Sequence, residues 1–216
     1  MNKVDLSNVD IISINTHNPE ASVKAIEYSC KAFNFAAKKI FSDRMPHNIT
    51  YQDIKHIRVA PFKTREEYSN FVIKELYKHI DAEFVMMIHD DGFIINPHLW
   101  QEEFLKYDYI GAPWPGSKEN IEYGRVGNGG FCIRSKKILE ASKDLPIGDT
   151  NDDWLMGVTY NEYLRNLGFK FAPVTLAMKF SLELPIEECE YNLENTFGFH
   201  GKKSDQHLSK MRLLYS

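Results

Sequence analysis

The sequence has few of the features that mark a secreted, membrane-spanning or nucleic-acid-binding protein. Its three cysteines, Cys30, Cys132 and Cys189, are widely spaced and form no CxxC pair, which favours free thiols over a disulfide framework or a zinc site. No apolar run is long enough to span a bilayer, and the polar, acidic N-terminus is unlike a signal peptide. A formal net charge of -4 without a basic cluster gives no electrostatic reason to bind nucleic acid. We therefore expect a cytoplasmic protein with no transmembrane segment and no nucleic-acid partner.

Internal repeats, low-complexity tracts and linkers are also lacking. The 216 residues, 43% of them hydrophobic and 26% charged, have the ordinary composition of a globular protein. A chain of this length is sufficient for one substantial domain. We expect residues 1–216 to form a single α/β domain.

Apolar runs alternate with helical spacing along the first half of the chain. Strands are predicted at residues 9–15, 35–41, 54–59 and 83–88, with one helix from Pro19 and another beginning at Thr64. This alternation predicts a mostly parallel central sheet flanked by helices. In the second half, patterns predict a helix in 100–107, strands near 109–114 and 131–133, a helix over 151–168 and a strand at 169–173.

One apolar run ends abruptly in two acids and a glycine, in the order His89, Asp90, Asp91, Gly92. Open α/β sheets bind ligands beyond the carboxyl ends of their strands, and carboxylates there suit a hard divalent cation and the phosphates of a nucleotide. Asp91 is the preferred metal ligand because the adjoining glycine lets a ligand approach the backbone. The alternative is that Asp-Gly is simply a turn after a strand.

A second pair of acids, Asp152 and Asp153, stands at a predicted helix start. Capping of the helix explains one acid without any function. The other acid is then free to accept a proton from an attacking hydroxyl. The sequence alone leaves the capping and catalytic interpretations open.

Three further features fit a ligand-binding site, but each also fits a residue or turn with only a structural role. His200 lies between Gly198 and Gly201 in an aromatic stretch, which favours a closing loop, although a lone histidine is often only a surface residue. A glycine-rich run, 127–130, fits either a tight turn or a backbone wall for a flat sugar ring. Trp114, in a loop between two prolines, fits either the core or stacking on a sugar.

Several ordered blocks of sequence resemble a family of GT-A glycosyltransferases. The blocks are 89–97, 107–114, 126–131, 134–135, 180–183 and 196–201, so that the resemblance extends from about residue 68 to residue 201. It implies the Rossmann-like GT-A fold of nucleotide-diphospho-sugar transferases, with a nucleotide-binding half at about 1–95 and an acceptor-side half and closing segment at about 96–216. It also implies a nucleotide-sugar donor, a UDP-sugar by preference, and a glycan or other hydroxyl acceptor.

The resemblance further implies roles for individual residues. Asp91 stands at the last acid of the DxD motif and His200 at the C-terminal metal ligand, for Mn²⁺ or Mg²⁺, and imidazole ligation favours Mn²⁺. Asp153, with Asp152 beside it, would be the acceptor-side base. Donor-binding residues would be Thr16, His17, Asp43, Arg65, His89, Asp90, Asp91, Gly129 and Gly130. Trp114 and Asn128 would lie on the acceptor and sugar side.

Two other functions stay open. One is a glycan-binding or scaffolding domain that has lost catalysis, which His89 at the position of the first DxD acid supports. The other is a sugar-phosphate nucleotidyltransferase, but such enzymes usually carry a glycine-rich phosphate loop where this chain has residues 15–19. The stereochemistry of transfer, inverting or retaining, is not decided by the sequence.

Overall fold

Alternating strands and helices form the first half of the molecule and shorter, less regular elements form the second. The structure is a computed structural model that describes residues 3–47, 53–116, 125–148 and 150–215. The strands are β1 Val4–Ile14, β2 Phe33–Ser42, β3 Ile54–Arg58, β4 Phe84–Ile88, β5 Tyr109–Gly111, β6 Phe131–Ser135, β7 Ser181–Leu182 and β8 Gly198–Phe199. The α-helices are α1 Pro19–Ser29, α2 Arg65–Lys74, α3 Lys136–Ser142, α4 Asp152–Trp154, α5 Asn161–Asn166, α6 Val174–Phe180 and α7 Asp205–Met211. Short 3₁₀ segments lie at Leu76–His79, Pro97–Leu99, Glu102–Lys106, Leu193–Asn195 and Arg212–Tyr215, and a π turn at Leu155–Thr159.

Six strands form the main sheet in the order β3-β2-β1-β4-β6-β5. The first four are parallel to one another, whereas β6 runs antiparallel to both β4 and β5. The predicted α/β class with a mostly parallel central sheet is therefore confirmed. Chain order reverses at β1, which has β2 on one side and β4 on the other, and such a switch point opens a crevice at the carboxyl ends of the strands.

Strand β4 lies at the centre of this arrangement because both of its faces are covered. All five of its residues are buried. Phe84, Met86 and Ile88 belong to one hydrophobic cluster, and the alternate residues Val85 and Met87 belong to the other. Two-sided burial explains why the sequence here is a continuous apolar run rather than an alternating one. Because this apolar run forms the central strand, it determines where the acids that follow β4 emerge at the end of the sheet.

Strand β1 is longer than its sequence predicts. It begins at Val4, and its pairing with β2 shifts register between Leu6 and Asp10. Exposed polar residues of this stretch, such as Asp5 and Ser7, disguise the strand because they face solvent. The polar composition therefore reflects an irregular strand and not a loop.

Two predictions for the second half were wrong in form. The segment 169–173 is not a strand, because Phe171 makes only an isolated bridge to Tyr109 before α6 begins. The helix predicted in 100–107 is present as the 3₁₀ helix Glu102–Lys106. The long helix predicted over 151–168 is divided by the π turn, where a Cβ on Gly157 would lie 3.2 Å from the Trp114 ring. Gly157 therefore lets the π turn pack closely against that ring.

The C-terminal segment has no clear core periodicity in the sequence, but it contributes a strand and a helix to the structure. Strand β8 pairs in parallel with β7, and α7 follows with a capping box made by Ser204 and His207. Among the described residues, no helix is both long and apolar enough to cross a bilayer.

Candidate active site

Two adjoining cavities lie at the carboxyl ends of β1 and β4. The first, of about 350 Å³, is lined by Arg65, Tyr68, Ser69, His89, Gly129, Gly130, Asn151, Asp152, Asp153 and His200. The second, of about 250 Å³, is lined by Ile14, Asn15, Thr16, His17, Phe62, Lys63, Thr64, Arg65 and Tyr68. Because Arg65 and Tyr68 border both, the cavities form one elongated cleft, and most of the site residues predicted from the sequence lie along it.

A cluster of possible metal ligands lies in the first cavity and beside it. His89, Asp91 and His200 each offer one ligand atom, and these atoms lie within 4.8 Å of one another. His200 Nε2 is 3.6 Å from Asp91 Oδ1. The backbone holds the two segments together, because Gly201 N donates to the Asp91 carbonyl at 2.8 Å. The structure thus brings together residues more than a hundred positions apart in the chain.

The chemistry of this donor set fits a divalent transition metal. Two imidazole nitrogens and one carboxylate oxygen suit Mn²⁺ better than Mg²⁺, which prefers oxygen ligands. All three side chains are partly buried, so solvent still reaches the cluster. Burial, reinforced by the neighbouring His200, lowers the pKa of His89 to about 4. His89 is therefore neutral near pH 7 and able to act as a ligand.

A hydroxyl group holds His89 in place. Tyr68 Oη lies 3.0 Å from His89 Nε2, and Tyr68 belongs to α2. A ligating histidine usually has its other ring nitrogen engaged in this way, which fixes the orientation of the ring. The tight turn after β4 contributes too, since His89 and Gly92 exchange two backbone hydrogen bonds.

Asp90 points toward a different partner from Asp91. Its Oδ2 lies 3.0 Å from Lys202 Nζ, and its Oδ1 accepts a long hydrogen bond of 3.5 Å from Asn15. Lys202 is also 3.9 Å from Asp91 Oδ2. The ammonium group of Lys202, half exposed, therefore lies against both carboxylates of the turn.

The second pair of acids divides into one paired and one unpaired carboxylate. Asp152 Oδ2 accepts a 2.7 Å hydrogen bond from Arg134, and both side chains are almost completely buried. Arg134 also donates to Tyr109 Oη at 2.7 Å. Asp153 instead accepts from the backbone N–H of Gly129 at 3.0 Å and lines the first cavity. The helix cap is Asn151, so neither acid serves the capping role that the sequence suggested.

Burial of Asp153 changes its acidity. Loss of hydration and the nearby charge of Asp152 raise the pKa of Asp153 to about 6, although the Gly129 N–H opposes this. A carboxylate with such a pKa is a stronger base than an ordinary aspartate and remains ionised at neutral pH. Because Arg134 holds Asp152, the geometry favours Asp153 over Asp152 as the proton acceptor.

The two glycines before β6 allow close packing around these groups. A Cβ on Gly130 would lie 2.0 Å from His200 Nε2. One on Gly129 would lie 3.1 Å from Asp153 Cβ. Gly130 therefore makes room for the His200 ring, and Gly129 brings its N–H to Asp153. Both also line the first cavity.

The second cavity holds residues predicted to contact the nucleoside. Thr16 and His17 line it, and Thr16 Oγ1 accepts from Phe62 N at 3.1 Å, which fixes the opposite wall. Arg65, an exposed residue at the start of α2, lies where the two cavities meet. Asp43 follows β2 with its Oδ1 buried and without a hydrogen-bond partner, but it lines neither cavity.

Two residues predicted on the acceptor side are placed differently by the structure. Trp114 is only 7% exposed and packs against Trp154, with ring centroids 5.6 Å apart, so its ring belongs to the core and does not present a face for a sugar. Asn128 is 4% exposed, and its amide group donates to Glu183 Oε2 at 2.7 Å. Both side chains fold inward, and a loop sequence does not show which side chains do so.

Sequence reasoning gave no role to Glu183, Arg134, Tyr68 or Lys202, which surround the predicted site. A signal existed for Arg134, because an arginine within the strand 131–135 needs a carboxylate partner if the strand is buried. Glu183, after β7, contacts both Asn128 and His200. Its neighbours come from distant parts of the chain, so no local pattern indicates its importance.

Comparisons with solved structures agree on the fold. The galactosyltransferase LgtC, in complex with donor and acceptor sugar analogues, matches with a TM-score of 0.52 and 12% identity over 95% of each chain. An active-site mutant of LgtC matches with a TM-score of 0.53 and 14% identity, also over 95% of each chain. A glycosyltransferase involved in glycosylation of the major capsid of PBCV-1 matches with a TM-score of 0.54 and 12% identity, over 96% of this chain and 99% of that one. The fold is that of the GT-A glycosyltransferases.

The sequence itself matches a family profile over residues 52–200, and the chain belongs to that family, DUF5672, which is described as a protein of unknown function. No curated protein sequence matches the chain significantly.

Proposed function

We propose that the protein is a metal-dependent glycosyltransferase that moves a sugar from a nucleotide-diphosphate donor, a UDP-sugar by preference, to an acceptor hydroxyl. The observation that carries this proposal is the cluster of His89, Asp91 and His200 beside Asp153 in one cleft of a GT-A fold. The likeness to LgtC and to the PBCV-1 enzyme supports the class of reaction only through the fold.

Asp91 and His200, with His89 as a third ligand, would hold Mn²⁺ or Mg²⁺. When bound there, the cation supplies positive charge that offsets the charge building on the leaving diphosphate. The second cavity, with Thr16 and His17, would take the nucleoside. Arg65, which lines both cavities, would contact the diphosphate that connects nucleoside and sugar.

Asp153 would accept the proton of the acceptor hydroxyl as the new glycosidic bond forms. Its raised pKa suits this role, and the Gly129 N–H fixes one of its oxygens. The donor sugar would lie against Gly129 and Gly130, in the part of the cleft between Asp153 and the cluster of possible metal ligands. In an inverting reaction, such a placement would orient the reacting groups for direct displacement.

The test is sugar transfer, or slow donor hydrolysis, with purified protein and a panel of UDP-sugars. Activity is expected with Mn²⁺, and chelation or Asp91→Asn should remove it. Full activity of Asp91→Asn, or of the chelated protein, would overturn the metal claim. An exposed acid that takes no part in the site, Glu190, gives the matched control Glu190→Gln, which should retain wild-type activity.

The same assay separates the other functions that the sequence left open. Binding of UDP-sugars without turnover would indicate a glycan-binding domain, and pyrophosphate release from a nucleoside triphosphate would indicate a nucleotidyltransferase. The anomeric configuration of the product then decides the role of Asp153. Inversion supports it as a base, whereas retention would leave it as a residue that positions substrate.

A further inference from the structure

A chain of polar contacts connects His200 to the loop before β6. His200 Nδ1 is buried, makes no well-aligned hydrogen bond, and lies 3.3 Å from Glu183 Oε1. The other oxygen, Oε2, accepts from Asn128 Nδ2 at 2.7 Å. Asn128 Oδ1 in turn accepts from the backbone N–H of Gly130 at 3.1 Å. Both carboxylate oxygens of Glu183 are therefore directed at specific neighbours.

The two nitrogens of the His200 ring face opposite partners. Nε2 faces Asp91 in the cluster of possible metal ligands, while Nδ1 faces Glu183. The ring cannot shift away freely, because it lies directly over Gly130, where a Cβ would be 2.0 Å from Nε2. The backbone is fixed as well, since His200 N donates to the Leu182 carbonyl at 3.2 Å, next to Glu183 in sequence.

We infer that Glu183 is a positioning residue for the metal site: it holds the Nδ1–H of His200, so that the unprotonated Nε2 faces the cation. Asn128 fixes Glu183 in turn. This inference rests on the proposed metal-dependent function. It gives Glu183, which lies outside the ligand cluster, a role that packing alone does not require.

The physical reason is general for histidine ligands. The neutral ring has one N–H and one lone pair, and the group that accepts the N–H decides which nitrogen carries the lone pair. A carboxylate is the strongest common acceptor for this purpose, and it also makes the ligand more basic. Loss of such a partner usually weakens metal affinity by roughly 10–100-fold.

The test is a titration of the full chain with Mn²⁺ in the absence of donor. The EPR signal of free Mn²⁺ measures how much of the metal is bound. Glu183→Gln keeps the shape but removes the charge, and it should weaken Mn²⁺ affinity roughly 10–100-fold. Asn128→Ala should weaken it less, and the exposed Glu190→Gln in the same segment should have no effect. Equal affinity of wild type and Glu183→Gln, with both proteins folded by thermal melting, would overturn the inference.

A second readout does not depend on metal. The ¹⁵N chemical shifts of the His200 ring in the metal-free protein should indicate an Nδ1–H tautomer or its cationic form, and Glu183→Gln should change them. Unchanged shifts would contradict the positioning role. If the wild type takes up no Mn²⁺ at all, the proposed metal dependence fails, and the ring shifts still decide whether Glu183 orients His200.

Discussion

Asp90-Asp91 and Asp152-Asp153 are both pairs of adjacent acids at one cleft, but the first pair shares the cation Lys202, whereas in the second Asp152 is buried against Arg134 and Asp153 faces the cavity. Lys202 and His200 lie beside the first pair, whose side chains are about one-fifth exposed. The second pair has a single buried cation, Arg134, which binds only Asp152.

This difference assigns the two pairs to different chemistry. Carboxylates that lie beside a cationic side chain can exchange it for another cation, which suits a metal site. A carboxylate that is buried beside another charge holds its proton more tightly, which suits proton transfer. Under the proposed function, the same dipeptide would therefore supply a metal ligand at one edge of the cleft and a base at the other.

Substituting one acid of each pair should give the largest effects, on the kcat of transfer for one pair and on Mn²⁺ binding for the other. Asp153→Asn removes the base, so we expect the kcat of transfer to fall by about 10²–10⁴-fold while Mn²⁺ binding is retained. Asp91→Asn should instead lose Mn²⁺ binding. Steady-state kinetics and EPR titration measure the two properties separately. Wild-type kcat in Asp153→Asn would remove the distinction between the pairs.

Breaking the buried ion pair should affect folding more than chemistry. Arg134→Met leaves Asp152 buried and unpaired, so we expect the free energy of unfolding to fall by about 3–5 kcal/mol. Urea denaturation measures this loss. The exposed pair of Arg44 and Glu20 supplies the control, and Arg44→Met should change stability little. Equal losses of unfolding free energy in the two variants would show that burial does not make the Arg134 ion pair more important for stability than the Arg44 pair.

The pH dependence of transfer should report the raised pKa of Asp153. Below its folded pKa of about 6 the carboxyl is protonated and cannot accept a proton, so kcat/KM should fall about tenfold for each pH unit below that value. Above that value the rate should level off. A profile that stays flat down to pH 4.5 would exclude Asp153 as the base.

The smallest expected effect is a gain in stability when Asp153 is neutralised. Its pKa is higher in the folded than in the unfolded chain, so the folded state binds the proton more tightly. Stability from this group is therefore present below the unfolded pKa and is lost as pH rises through about 6. At pH 7.5, Asp153→Asn should stabilise the fold by about 1 kcal/mol, or a Tm rise of ~2–4 °C.

Differential scanning calorimetry at pH 7.5 and pH 4 tests this prediction. The gain should shrink at the lower pH, where the wild-type carboxyl is already largely protonated. Exposed Asp144 is the matched control, and Asp144→Asn should show no such pH-dependent gain. A destabilised Asp153→Asn at pH 7.5 would contradict the raised pKa.

The sequence predicts the elements that have strong local signals. The apolar run of β4, ended by His89 and Asp91, identifies the central strand and its crevice without any tertiary information. The proximity of His200 to Asp91 does not follow from any local pattern, because it depends on β8 returning to the end of β4. Only the resemblance to GT-A glycosyltransferases suggested it.

The sequence is least informative where burial decides the surroundings of a side chain. Trp114 and Asn128 lie in loops, where periodicity gives no inward or outward direction, and both fold inward. Glu183 and Arg134 were passed over for the complementary reason. Their partners come from other elements, so their contribution is visible only after the chain is folded.

In the proposed mechanism, a cation held by Asp91 and His200 binds the diphosphate of the donor. Isothermal titration calorimetry of UDP, with Mn²⁺ and then with a chelator, measures this binding. We expect UDP to bind only with Mn²⁺, and this binding to be lost in both Asp91→Asn and His200→Ala. Equal UDP affinity with and without the metal would contradict it.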